Sequence, residues 1–130
     1  MQKINQIYIK SVVKKALDED LKPRGDITTN LISFKNKKTT AKIIAKQSGV
    51  IAGLDFCKTA FKLVGKETIF ISKVKDGSKV KKNKVIAEVQ AKTKTILIAE
   101  RTALNFLNHA SGIATLTHQF IQKVNKKTKI

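Results

Sequence analysis

The residues best suited to chemistry lie together in Glu100–Thr115, E-R-T-A-L-N-F-L-N-H-A-S-G-I-A-T. Arg101 is a permanent cation, Asn105 and Asn108 carry amides, and His109 can titrate. These groups bind and orient, but no catalytic set completes them. His109 and His118 fall too close together on one helix for a Ser-His-Asp arrangement and lack an obvious nucleophile. There is no phosphate-cradling G-x-x-x-x-G-K-[ST] loop and no metal-ligand cluster. Asp18-Glu19-Asp20 puts three carboxylates in a row, without the further ligands a metal site needs. An unpaired guanidinium inside a protein is costly, so Arg101 is expected to have a partner, and the identity of that partner is the functional question.

The stretch must ride on a helix. Leu104, Leu107 and Ala114 fall on one line at helical spacing, and Phe106, Ala110, Ile113, Phe120 and Val124 fall on a neighbouring one. Together they make a broad apolar stripe, which predicts a helix covered by protein on most of its circumference. A histidine on such a helix is expected to pack, and Ser111-Gly112 to allow close contact or a kink.

Ahead of it, Ile4, Ile7, Tyr8, Val12 and Leu17 predict an amphipathic N-terminal helix. The acids at 18–20 sit near its C-terminal end, against the macrodipole preference. Pro23 stops it, and Arg24-Gly25-Asp26 forms a turn. Alternation over Thr40–Lys46, a short extended run over Gly49–Ala52, Thr68–Val74 and Val85–Val89 predict strands, with a turn at Asp76-Gly77. Leu54, Cys57, Phe61 and Val64 predict a helix entered near Gly53 and closed by Gly65. Lys92–Lys94 is expected to form a polar corner before the last helix. The expected class is α+β: an N-terminal helix, antiparallel strands around a short helix, and a long C-terminal helix.

At 130 residues the chain is expected to be one domain, 1–130. The net charge is +18, yet the 27 basic residues include only Arg24 and Arg101 as arginines. Readers of phosphates and bases lean on arginine forks, so this lysine bias predicts a solvated surface, with nucleic acid unlikely. No run approaches a membrane span, the N-terminus lacks the regions of a secretory signal, and the lone Cys57 suits the core of a protein in a reducing compartment. The simplest placement is cytoplasmic.

Glu100–Thr115 resembles the signature helix of the quinolinate phosphoribosyltransferases, the carboxylating nicotinate-nucleotide pyrophosphorylases. Glu19-Asp20-Leu21 and Gly25-Asp26-Ile27-Thr28-Thr29 resemble that family's E-D-L-x-x-G-D-I-T-T segment, and Gly49–Gly53 and Asp76–Val80 fall where the family has similar turns. Where the related molybdenum-transport accessory proteins resemble W-K-x-x-Q, this chain has Glu100-Arg101-Thr102-Ala103-Leu104-Asn105. Residues Gly49–Ile96 also resemble the barrel-sandwich of biotinyl and lipoyl carriers. Lys92 and Lys94 lack the displayed setting a carrier needs, so that likeness implies shared architecture only.

The family resemblance implies transfer of a phosphoribosyl group from phosphoribosyl pyrophosphate to quinolinate, with loss of carbon dioxide, giving nicotinate mononucleotide for NAD synthesis. It implies a dimer in which one subunit's N-terminal domain covers the barrel of the other, with Arg101 binding quinolinate across the interface. The competing expectation for Arg101 is a salt bridge to one of the acids at 18–20. No cofactor is expected in this chain, and magnesium accompanies phosphoribosyl pyrophosphate in the complete enzyme. Asn83 and Ala91 stand at turn positions where the family usually carries glycine. The family's C-terminal α/β barrel needs about 200 residues or more. The chain is therefore expected to be an N-terminal domain, inactive alone, as a fragment, a truncated product or half of a split enzyme partnered by a separate barrel. A noncatalytic assembly domain and a charge-driven nucleic-acid module are the alternatives.

Overall fold

A computed structural model of the chain describes residues 5–21 and 37–128. Helix α1 spans Gln6–Leu21, followed by strands β1 (Lys38–Ile44) and β2 (Gly49–Val50) and helix α2 (Leu54–Val64). Strands β3 (Ile69–Ser72), β4 (Lys79–Val80) and β5 (Val85–Lys92) then lead into helix α3 (Thr93–Thr128). The fold is α+β, and the described strands form two antiparallel sheets, β1-β5-β3 and β2-β4. Pro23 and the Gly25–Thr29 motif lie outside the described residues. Among the described residues no helix is long and apolar enough to cross a membrane.

Central strand β5 shows why a sheet forms here. Ala87, Val89 and Ala91 point inward and are buried, while Glu88, Gln90 and Lys92 alternate with them on the outer side. Ala91, expected in a turn, is a buried ladder residue opposite Thr39. The turn expectation holds at Asn83, whose φ of 77° lies in the left-handed region that glycine adopts without strain. Gly77 also turns in this region, at φ 91°, within the expected Asp76-Gly77 turn.

The two shorter helices are capped in different ways, one locally and one from a distance. The side chain of Asn5 accepts from the backbone N–H of Ile7 and starts α1. For α2 the cap comes from across the fold: Asp76 Oδ1 accepts from Leu54 N at 3.2 Å, placing a carboxylate at the positive end of the helix. Gly65 closes α2 in extended backbone, φ −137°, and glycine is required there because a Cβ would come 2.7 Å from Thr95.

The core joins Leu54, Cys57, Ala60 and Phe61 of α2 to Ala99, Ala103 and Leu107 of α3 and to Ile9, Val13 and Leu17 of α1. The α1 face therefore differs from the one expected. Leu17 is shared, but Ile7 and Tyr8 are 77% and 59% exposed. Apolar residues surround this helix, so periodicity leaves two candidate faces. Packing on α2, with Gln6 Nε2 donating to Thr59 Oγ1 at 3.2 Å, selects the Ile9 side. Cys57 is fully buried, and burial pushes its thiol up to about 12, as a core residue requires rather than a nucleophile.

Candidate functional site: the exposed crest of the long helix

Helix α3 starts without a loop. Lys92 ends β5, and Thr93 begins the helix with its N–H and hydroxyl both donating to the Lys37 carbonyl, at 2.9 and 3.1 Å. Thr39 Oγ1 lies 2.7 Å from Thr93 Oγ1, which ties the helix start to β1. The expected polar corner at Lys92–Lys94 is thus a direct strand-to-helix junction.

From there the small residues Ala99 and Ala103, both fully buried, let α3 lie close on α2. Phe106 stacks on Phe56 at a centroid distance of 5.3 Å. Gly53 passes so near that a Cβ would meet Ala110 Cβ at 3.0 Å and the Phe106 carbonyl at 3.1 Å, and its φ of 88° also favours glycine. Further along, α3 hydroxyls act as partners for extended backbone. Ser111 Oγ accepts from Ala52 N at 3.0 Å and donates to Ala52 O at 3.1 Å, and Thr115 Oγ1 accepts from Val50 N at 2.9 Å. Ser111 therefore makes the expected close contact, while the helix runs unbroken through Gly112.

Arg101 is held by these contacts and yet faces away from them. Its neighbour Thr102 is 2% exposed and donates to Asp20 Oδ2 of α1 at 2.5 Å. Arg101 itself is exposed, and among the described residues it makes no ion pair or hydrogen bond. The expected salt bridge to the acids at 18–20 is absent: Asp20 is occupied by Thr102, and Asp18 and Glu19 are exposed. At about 100° per residue, Arg101, Asn105 and Asn108 share the outer crest of α3.

Two concavities flank this crest. A cleft of about 640 Å³ between α1 and α3 is lined by Glu19, Asp20, Thr102, Asn105, Asn108 and His109. A wider groove of about 1260 Å³ on the other side is bounded by Lys42–Val50 and by Glu100, Leu104, Asn108 and Thr115 of the helix. His109, expected to pack, is exposed at the cleft. Chemically the crest offers a fixed cation with amides one and two turns beyond it. That set suits recognition of a planar anion such as a carboxylate. Among the described residues no three acids, histidines or cysteines converge to hold a metal ion.

The Asp20–Thr102 bond was not foreseen. Its trace in the sequence is the acidic cluster at the wrong end of α1, which has an internal donor for one of its members. The hydroxyl contacts of Ser111 and Thr115 join residues 59 and 65 positions apart, a separation that no local pattern reveals.

Comparison with known proteins gives one consistent result. Residues 26–111 match the family described as "Quinolinate phosphoribosyl transferase, N-terminal domain". A probable carboxylating nicotinate-nucleotide pyrophosphorylase of Methanocaldococcus jannaschii is 39% identical over 127 residues, which is 95% of this chain and 43% of that protein. The decarboxylating quinolinate phosphoribosyltransferase 1b of Nicotiana tabacum is 37% identical over 84% of this chain and 31% of its own length. The solved nicotinate-nucleotide pyrophosphorylase of Francisella tularensis superposes with a TM-score of 0.86 at 31% identity, over 95% of this chain and 43% of that one. The chain thus spans less than half the length of these relatives.

Proposed function

Because this chain belongs to the quinolinate phosphoribosyltransferase family, through that family's N-terminal domain, we propose that it serves such an enzyme of NAD synthesis as the domain that caps the substrate site and forms the dimer. In that role Arg101 enters the active site of a neighbouring subunit and grips quinolinate. The ligand carries two adjacent carboxylates, and a guanidinium meets one of them through two parallel N–H donors. The observation that carries this reading is an exposed arginine on a firmly backed helix that forms no ion pair among the described residues. A rigid root with a free head suits a residue that must reach another molecule in a fixed direction.

The phosphoribosyl chemistry belongs to the remaining part of the enzyme. Magnesium is assigned to that part as well, bound with phosphoribosyl pyrophosphate. Alone, the chain is expected to turn nothing over. A cytoplasmic placement accords with the buried free thiol of Cys57.

The test joins this chain to the part of the M. jannaschii relative that it does not match. Quinolinate-dependent pyrophosphate release is expected from the joined protein. Arg101→Ala should raise the quinolinate KM about 100-fold while leaving that for phosphoribosyl pyrophosphate nearly unchanged, and Arg101→Lys should recover only part of the loss. An unchanged KM in Arg101→Ala would remove the assigned role.

A further inference from the structure

Thr102, the neighbour of Arg101 on α3, uses its hydroxyl differently from Thr59 and Thr115. Thr59 Oγ1 donates to the Asp55 carbonyl and Thr115 Oγ1 to the Ser111 carbonyl, each at 2.7 Å, the ordinary bond of a threonine inside a helix. Thr102 Oγ1 donates instead to Asp20 Oδ2 of α1, at 2.5 Å. Among the described residues this is the one side-chain hydrogen bond that leaves α3 between positions 95 and 110. Both partners line the cleft of about 640 Å³ between α1 and α3, so the bond ties the helices across a space that packing does not fill. Stability alone does not account for the pair. Asp20 lies in the last turn of α1, where the helix dipole opposes a carboxylate, and an apolar pair would join the helices without that cost. What the bond adds is direction: it fixes the turn from which Arg101 points outward.

We infer that Asp20 and Thr102 are positioning residues for Arg101, their bond holding the turn so that the guanidinium meets a quinolinate carboxylate in a two-point contact. The inference rests on the function proposed above and deepens it, because it brings α1 into a site whose contact residue lies on α3. In this role neither Asp20 nor Thr102 touches the ligand, and both act through Arg101.

The test is a double-mutant cycle in the joined protein, with KM read for each substrate. Asp20→Ala removes the acceptor and relieves the helix dipole, so the chain should stay folded. It should raise the quinolinate KM about 10-fold and leave that for phosphoribosyl pyrophosphate within about twofold. Asp20→Asn keeps an acceptor and should restore most of the affinity. Thr102→Val should behave as Asp20→Ala does, and Thr102→Ser, which keeps the hydroxyl, as the parent does. Added to Arg101→Ala, Asp20→Ala should change the quinolinate KM by less than about twofold, since the group it positions is gone. Equal rises in both KM values, a full effect of Asp20→Ala without Arg101, or no rise at all would overturn the inference. Hydrogen exchange on the chain alone reads the same bond without turnover. Asp20→Ala should speed amide exchange about 10-fold over residues 101–108 and leave residues 57–61 unchanged, and unaltered exchange over 101–108 would also overturn it. The two readings fail separately. An ineffective Arg101→Ala removes the substrate role and leaves nothing to position, whereas an effective one to which Asp20→Ala adds its full rise removes the positioning alone.

Discussion

The two halves of α3 are built from similar residues and meet opposite surroundings. From Thr93 to Thr115 the helix is pinned by threonine and serine hydroxyls at both ends and pressed on α2 through alanines. From Leu116 onward the large apolar residues change side: Leu116 stands half a circumference from the buried Leu107, and residues 119–125 are all exposed. Hydrophobic period fixes which side of a helix wants cover; it does not say whose surface supplies it. In the first half the cover is intramolecular and makes a rigid mount for Arg101. In the second the large apolar side chains stay exposed.

The contrast breaks first at its leucines. Leu107 is 4% exposed, so Leu107→Ala should cost about 2–4 kcal/mol in urea unfolding, whereas Leu116→Ala, at 68% exposed, should stay within about 0.5 kcal/mol. Equal losses would mean that the distal half is covered in the free chain. A smaller effect is expected at the mount. Thr102→Val keeps the shape but leaves Asp20 without its donor, and should cost about 1–2 kcal/mol. Asn83→Gly, remote from both halves, should gain at most about 0.5 kcal/mol by relieving the left-handed backbone at φ 77°, and thermal melts would show the shift.

Much of this was legible beforehand, for identifiable reasons. Alternation gave β5, the Leu54-Cys57-Phe61 spacing gave α2, and the departure at Asn83 marked a position that does adopt a glycine-like backbone. The E-R-T segment located the crest and its arginine. What was missed depends on choices between surfaces. The buried face of α1 was displaced because Ile7 and Tyr8 fit a helical stripe as well as Ile9 and Val13 do, and only the shape of α2 decides between them. Arg101 was expected on a covered helix, whereas the apolar stripe lies on the opposite side of the same turns. Asp20 was seen as a misplaced acid because its donor, Thr102, lies 82 residues away.

The junction at Lys92–Thr93 has a mechanical consequence. With no loop between β5 and α3, nothing absorbs a change in strand pairing. A slip of one residue against β1 would advance the helix by one position and turn its outer surface by about 100°. The guanidinium would then swing off the crest toward one of the flanking concavities. The ladder of an ordinary antiparallel sheet thereby sets the compass bearing of a side chain nine positions past the end of the strand.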